Sequence, residues 1–455
     1  MKLCIIGGGS VRTPRLIPAL VRRAARLGLR ELWLMDDHED RLALVGGLCR
    51  SQAEALGAPF RVVTSTDARA AIADAGHVIT AIRPGLEAGR AADERIAFEH
   101  GVLGQETTGA AGFAMAMRSA PAILGYARLV AEVAQPDAWL FNFTNPAGLV
   151  AQVLHDAGMT RVVGICDSAN KARNEVSRYL RVPQARLQHT VYGLNHLSWT
   201  RSVRIDADAQ GPGEEVLPAL LADEQFVQAT HMKIFAPGLR AAEGAFLNEY
   251  LHYYYHRDEA LEALLREAET RGEQVQQLTE ALLARLEACP DADERLAIWR
   301  AVMAERSGSY MAHARDGAER VQQRPLADDE EGYAAVALGC VEAIARDEPL
   351  LSGLNVPNQG AIAGMDADDI VEVICRVDGA GPRPIAVGAI PGQQLALMRS
   401  VKVYERLAAQ AILQRSRALA LQALCAHPLV GSWPLAERLF DAFHATHREL
   451  VGPWR

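Results

Sequence analysis

Gly7-Gly8-Gly9-Ser10 follows an apolar run over 3–6 without a break, and Pro14 then opens a helical pattern. Glycines at such a strand-to-helix turn let the backbone come close to a pyrophosphate, and the amides at the helix start bind its charge. A second apolar run over 31–35 ends at Asp36. An acid about 20–30 positions beyond the glycines is placed to take the ribose hydroxyls of NAD and to repel the extra phosphate of NADP. The expected cofactor contacts are Gly7, Gly8, Gly9, Ser10 and Asp36, with Arg83 from a later strand end. Arg12 stands where the full G-x-G-x-x-G pattern has its third glycine, and an ordinary βα turn is the alternative reading. Pro18 falls where its ring disturbs a helix begun at Pro14.

Other segments gather polar residues. The stretch 83–112 holds Arg83, Arg90, Arg95 and Gly104-Gln105-Glu106-Thr107-Thr108-Gly109. Then follow NFTNPAG with Asn142, Thr144, Asn145 and Pro146, GICDS with Cys166 and Asp167, YGLNHLSW with Asn195 and His196, and NEYLHYYY with Tyr250, Tyr253, Tyr254 and Tyr255.

The elements that must position these residues alternate. Apolar runs over 61–63, 77–82, 138–143 and 161–166 read as further strands, with helical stretches around 41–56, 114–134 and 147–157. Alternation of this kind predicts an α/β fold with a parallel, doubly wound sheet of Rossmann type. Ligands then bind beyond the carboxyl ends of the strands, which selects the loops 7–10, 83–85, 142–146 and 166–168. After about residue 168 the alternation weakens. Residues 1–167 are expected to bind NAD, and 168–455 to form an α+β catalytic, metal-binding and oligomerisation domain. Within it, 258–288 reads as a solvated helical face broken at Gly272, and 400–448 as C-terminal helices.

At 455 residues and 49% hydrophobic composition the chain can bury large cores without a staple. A net charge of −9 argues against nucleic-acid or membrane-surface binding. No stretch approaches the roughly 20 apolar residues of a membrane span. The opening MKLCIIGGGS has no small-residue cleavage site, so no signal peptide is expected. Seven scattered cysteines suit a reducing, cytoplasmic setting.

Taken in order, IIGGGS, R-x6-R-x2-DER, GQETTG, NFTNPAG, G-x-C, GLNH and YL-x-YYY resemble glycoside hydrolase family 4, its phosphoglycosidase branch above all. The tail agrees, with LNVPNQGAI, a VEV strand near Val371, VKVYERL and HPLV. The resemblance spans nearly the whole chain. It implies a Rossmann domain followed by a lactate/malate dehydrogenase-like α+β domain, and a homodimer or homotetramer. It also implies an unusual glycosidase mechanism, outside the paired-carboxylate rule. NAD takes a hydride from the third sugar carbon, a base removes the proton on the second, the glycosidic oxygen leaves, water adds, and the hydride returns.

On this resemblance Cys166 and His196 hold a divalent metal, Mn2+ for a mixed and open site of this kind, beside the second and third sugar oxygens. Otherwise Cys166 is a small buried hydrophobe and His196 a satisfied core histidine. Tyr250 matches the base, with aromatic packing as its alternative. Asp167 either protonates the leaving oxygen or supports a metal ligand. It resembles an α-specific group, whereas GQETTG resembles the β-specific branch, so the anomer stays open. Arg95 matches a phosphate-binding arginine, against a surface arginine paired on its own helix. Asn145, Glu106 and Asn195 are expected at the substrate. The implied substrate is a 6-phospho-glucoside, or, since Arg12 replaces a usually aromatic residue, another anionic glycoside such as a sulfonated sugar. A 2-hydroxy-acid dehydrogenase and a non-catalytic NAD or sugar-phosphate sensor are the competing readings.

Overall fold

The computed structural model describes residues 1–206, 211–308 and 333–455, with the side chains of 333 and 334 left aside. Its thirteen strands form one sheet. They are Lys2–Ile6 (β1), Glu31–Met35 (β2), Arg61–Ser65 (β3), His77–Thr80 (β4), Trp139–Asn142 (β5), Val162–Gly164 (β6), Leu187–Leu194 (β7), Leu197–Ile205 (β8), Glu214–Glu215 (β9), Phe246–Leu247 (β10), Leu350–Pro357 (β11), Ile370–Asp378 (β12) and Gly381–Pro384 (β13).

The first six run parallel in the order β3-β2-β1-β4-β5-β6, the doubly wound arrangement expected from the alternation. Central strands such as β1 and β4 are buried nearly throughout because helices cover both faces, while β3 at the edge is only half-buried. The direction of the sheet changes at β6, where Gly164 pairs with Asn355 of antiparallel β11. Beyond it β12, β7, β8 and β10 continue antiparallel. The sheet is thus continuous across residue 167. No helix among the described residues is long and apolar enough to cross a membrane, and all seven cysteines are free.

Pro18 finds its explanation here. A 3-10 turn over Thr13–Leu16 comes first, and the α-helix begins afresh at Ile17. Pro18 therefore sits in a first turn, where its missing N–H has no partner to lose. The break expected at Gly272 falls earlier. Helices Arg257–Arg266 and Arg271–Ala288 are separated at Thr270, which caps the second in a reciprocal box with Glu273. The stretch 83–112, which had no predicted element, contains the helix Leu86–Glu99.

Candidate active site

The loops after β1, β4, β5 and β6 meet at one edge of the sheet. Gly7, with φ +93°, passes so close to β4 that a Cβ would lie 2.5 Å from the Ala81 carbonyl oxygen. Gly8 lies against Leu34 and Gly9 against the Asp36 carboxylate. Asp36 accepts from the Gly9 amide at 2.9 Å and the His38 amide at 3.1 Å. Burial nevertheless raises its pKa. A cavity of about 440 Å3 opens here, lined by Gly7, Gly9, Ser10, Asp36 and Arg83. Gly8 is not on its wall; it lets the loop pack on β2.

The helix Leu86–Glu99 turns charged residues inward. Glu87, Arg90, Asp93 and Glu94 are all buried. Arg90 pairs with Glu94 at 2.7 Å and with Glu106 at 3.0 Å. Arg83 reaches Glu106 at 2.6 Å. Burial pushes the Glu106 carboxyl up, but the two guanidiniums outweigh it and hold the pKa at about 2. Arg306, buried as well, has its pKa pushed down by burial and by Arg12, Arg83, Arg90 and Arg271 around it. Arginines and carboxylates thus crowd together behind the loop. Arg95 lies elsewhere. At 100° per residue it stands about 140° round the helix from Arg90. There it pairs with Glu273 and lines neither cavity, which corrects its expected place at the substrate.

A second cavity, of about 410 Å3, shares Arg12, Arg83, Glu106, Phe143, Asn145 and Arg306 with the first. On its wall are Cys166, Asp167, His196 and Tyr250. Cys166 comes two residues after β6. His196 occupies the two-residue turn between β7 and β8 with φ +62°, a conformation costly for a non-glycine residue and one that clusters at functional sites. The Cys166 Sγ lies 3.3 Å from His196 Nε2 and 3.0 Å from Ser168 Oγ. Burial and the nearby Asp167 and Glu372 charges push the Cys166 thiol up. Burial lowers His196 to about 4, so the ring is neutral. One soft and one borderline donor at 3.3 Å are spaced as two ligands of a single transition-metal ion are, and binding would deprotonate the thiol.

Tyr250 belongs to a short turn, Glu249–Leu251, capped by Asn248, whose Oδ1 accepts from the Tyr250 amide at 3.0 Å. Its ring stacks on His196. Asn195, expected at the substrate, faces away from the cavity. Its Oδ1 accepts from the Gly148 amide at 3.3 Å and its Nδ2 donates to buried Glu372 at 3.4 Å. The turn that aims His196 inward sends its neighbour behind it.

Some wall residues had no place in the sequence reading. Lys171, one helical turn beyond Asp167, pairs with buried Glu249 at 2.7 Å. Thr107, behind the wall rather than on it, binds His196 Nδ1 at 2.7 Å. Its signal in the sequence is the GQETTG segment. Arg306, one charge among many in the helix Ala292–Gly308, carries no such signal.

The glycosyl hydrolase family 4 model matches residues 2–182, and the model of that family's C-terminal domain matches 191–430. The chain belongs to glycosyl hydrolase family 4. The 2-hydroxy-acid dehydrogenase alternative gives way to that membership. This family 4 chain is 32% identical to the probable 6-phospho-beta-glucosidase of Bacillus subtilis, over 98% of its own length and 96% of the relative's. It superposes with a TM-score of 0.83 on the 6-phospho-beta-glucosidase from Thermotoga maritima, solved with manganese, NAD+ and glucose-6-phosphate; identity is 25% and coverage 99% of each chain. A 6-phospho-alpha-glucosidase from gut microorganisms, solved with NAD and Mn2+, gives 0.81 at 25% identity, over 100% of this chain and 99% of the other.

Proposed function

We propose that this family 4 enzyme hydrolyses a 6-phospho-glucoside with NAD and a divalent metal, Mn2+, as cofactors. The observation that carries the reading is the Cys166–His196 pair with Tyr250 stacked on it, in a cavity that shares six wall residues with the glycine-loop cavity. The names and bound ligands of the relatives above support it.

Gly7, Gly9, Ser10 and Asp36 hold NAD, with Gly8 packing the loop on β2 behind them, and Arg83 bridges from its cavity to the next. Cys166 and His196 hold the metal. NAD supplies a reversible hydride acceptor for the third sugar carbon, and the metal supplies positive charge beside the second and third oxygens. Tyr250 removes the proton from the second carbon, and Asp167 gives one to the leaving oxygen. Asn145 and the Glu106 carboxylate face the sugar where the two cavities join. Arg12 and Arg306, rather than Arg95, take the phosphate, because they line both cavities and Arg95 lines neither. Cofactor residues come from 1–167, and the catalytic and metal-holding ones divide evenly, with Cys166 and Asp167 before residue 168 and His196 and Tyr250 after it, on one sheet.

The test is hydrolysis of para-nitrophenyl α- and β-glucoside 6-phosphates, the same glucosides unphosphorylated, and their sulfonated analogues. Turnover of one phosphorylated anomer, with the neutral glucosides inert, supports the reading and identifies the anomer. Turnover of the sulfonated sugar alone moves the assignment to that anion, and turnover of neutral glucosides overturns the anionic pocket.

A further inference from the structure

The GQETTG segment reaches the metal pair through Thr107, and its hydrogen bonds determine which ring nitrogen of His196 carries the proton. The Thr107 amide lies 3.0 Å from one terminal atom of the Gln105 side chain. A backbone N–H only donates, so that atom is the carbonyl Oε1. The Thr107 hydroxyl is 3.2 Å from the same Oε1, which only accepts, so its single proton is committed there. What the hydroxyl has left for His196 Nδ1, 2.7 Å away, is a lone pair. Nδ1 is therefore the protonated nitrogen and donates. In a neutral ring Nε2 is then bare, and it faces Cys166 Sγ at 3.3 Å. The reverse arrangement, with the hydroxyl turned to Nδ1, would leave two acceptors facing each other at 3.2 Å at a partly buried site.

We propose that Thr107, oriented by Gln105, is a positioning residue that fixes His196 in the tautomer with Nδ1 protonated and so keeps Nε2 ready for a divalent cation. The inference rests on the metal-site reading above and adds the group that sets the ligand's proton. A hydrogen bond on the far nitrogen is how metal-binding histidines hold tautomer and ring orientation. Here it acts together with the left-handed turn at His196 and the Tyr250 stack, so backbone, ring face and ring edge are each held from a different element.

Two measurements on the full chain test it. In the chelator-treated protein with 15N-labelled histidine, the His196 resonance, assigned by its loss in His196→Gln, should show a protonated Nδ1 and a bare Nε2. Binding of Mn2+ alone, followed by electron paramagnetic resonance of the free ion without sugar or NAD, should weaken about 10- to 100-fold in Thr107→Val. Thr107→Ser, which keeps the hydroxyl, should restore most of it. A wild-type His196 protonated on Nε2 overturns the proposal, and so does a folded Thr107→Val that binds Mn2+ as the wild type does while Cys166→Ser does not. If Cys166→Ser and His196→Gln also bind Mn2+ normally, the metal-site reading itself fails and takes the proposal with it. Should Thr107→Val not fold, the tautomer measured in the wild type decides.

Discussion

The imidazole of His196 and the phenol ring of Tyr250 lie face to face, with centroids 3.9 Å apart and planes 2° from parallel. The proposed metal ligand and the proposed base are thus one stacked unit, and the position of the Tyr250 ring is tied to that of His196. Aromatic stacking contributes only about 0.5–1.5 kcal/mol beyond burial. Its use here is geometric, because two side chains from turns 54 positions apart share one plane of reference.

Tyr250→Phe separates the two contributions. The stack survives and the hydroxyl goes. The kcat should fall about 10²- to 10⁴-fold, while Mn2+ affinity stays at the wild-type level. Steady-state kinetics beside metal titration reads both, and a variant that retains full activity excludes Tyr250 as the base.

Asp93 holds the helix Leu86–Glu99 to the C-terminal region. Its carboxylate pairs with the fully buried Arg118 guanidinium at 2.6 Å and with His447 at 2.6 Å. Asp93→Ala leaves that guanidinium buried without its carboxylate, a loss of about 3–5 kcal/mol. Denaturant unfolding measures it. A loss below about 1 kcal/mol, the scale of an exposed pair, would show that the cluster carries no stability.

Glu106 predicts a particular acid sensitivity. Its carboxyl is depressed in the fold from an ordinary 4.5 to about 2. A depressed acid stabilises the folded state above its unfolded pKa, and that contribution is lost as pH falls from 4.5 toward 2. The contribution is about 3 kcal/mol. Stability measured across this range should slope less in Glu106→Gln than in the wild type; equal slopes would show that Glu106 is not the linked group.

On the proposed reading, Asp36 sets the cofactor. Asp36→Ser removes a carboxylate where a ribose hydroxyl binds, so NAD affinity should drop about tenfold and NADP affinity should rise, since the repelling charge is gone. Fluorescence titration with both cofactors checks the direction. An unchanged ratio would place the ribose away from Asp36.

The parts of the site legible in the sequence were those whose partners lie close by in the chain or whose type is forced by geometry. The glycine loop and Asp36 follow one strand-turn-helix unit, and Cys166 follows a strand end. The helix Leu86–Glu99 was not legible for the opposite reason. Its charges look solvent-facing until Glu106, Arg118, His447 and the Gly272 amide, all from outside the helix, are folded against them. The same holds for Arg95, whose partner Glu273 is 178 positions away. Asn195 misled by adjacency, since in a tight hairpin turn neighbouring side chains need not face the same cavity. Pro18 could be placed only once the 3-10 turn before it was known.

On the proposed reading, hydrolysis runs through a hydride that is lent and returned. The most direct test is turnover of the para-nitrophenyl glucoside 6-phosphates by protein stripped of cofactor and metal, then resupplied with NAD, with Mn2+, or with both, while NADH absorbance is followed. Nitrophenol release only when both are present, without NADH accumulating, is the predicted result. Release without either addition, or NADH accumulating in step with product, would contradict it.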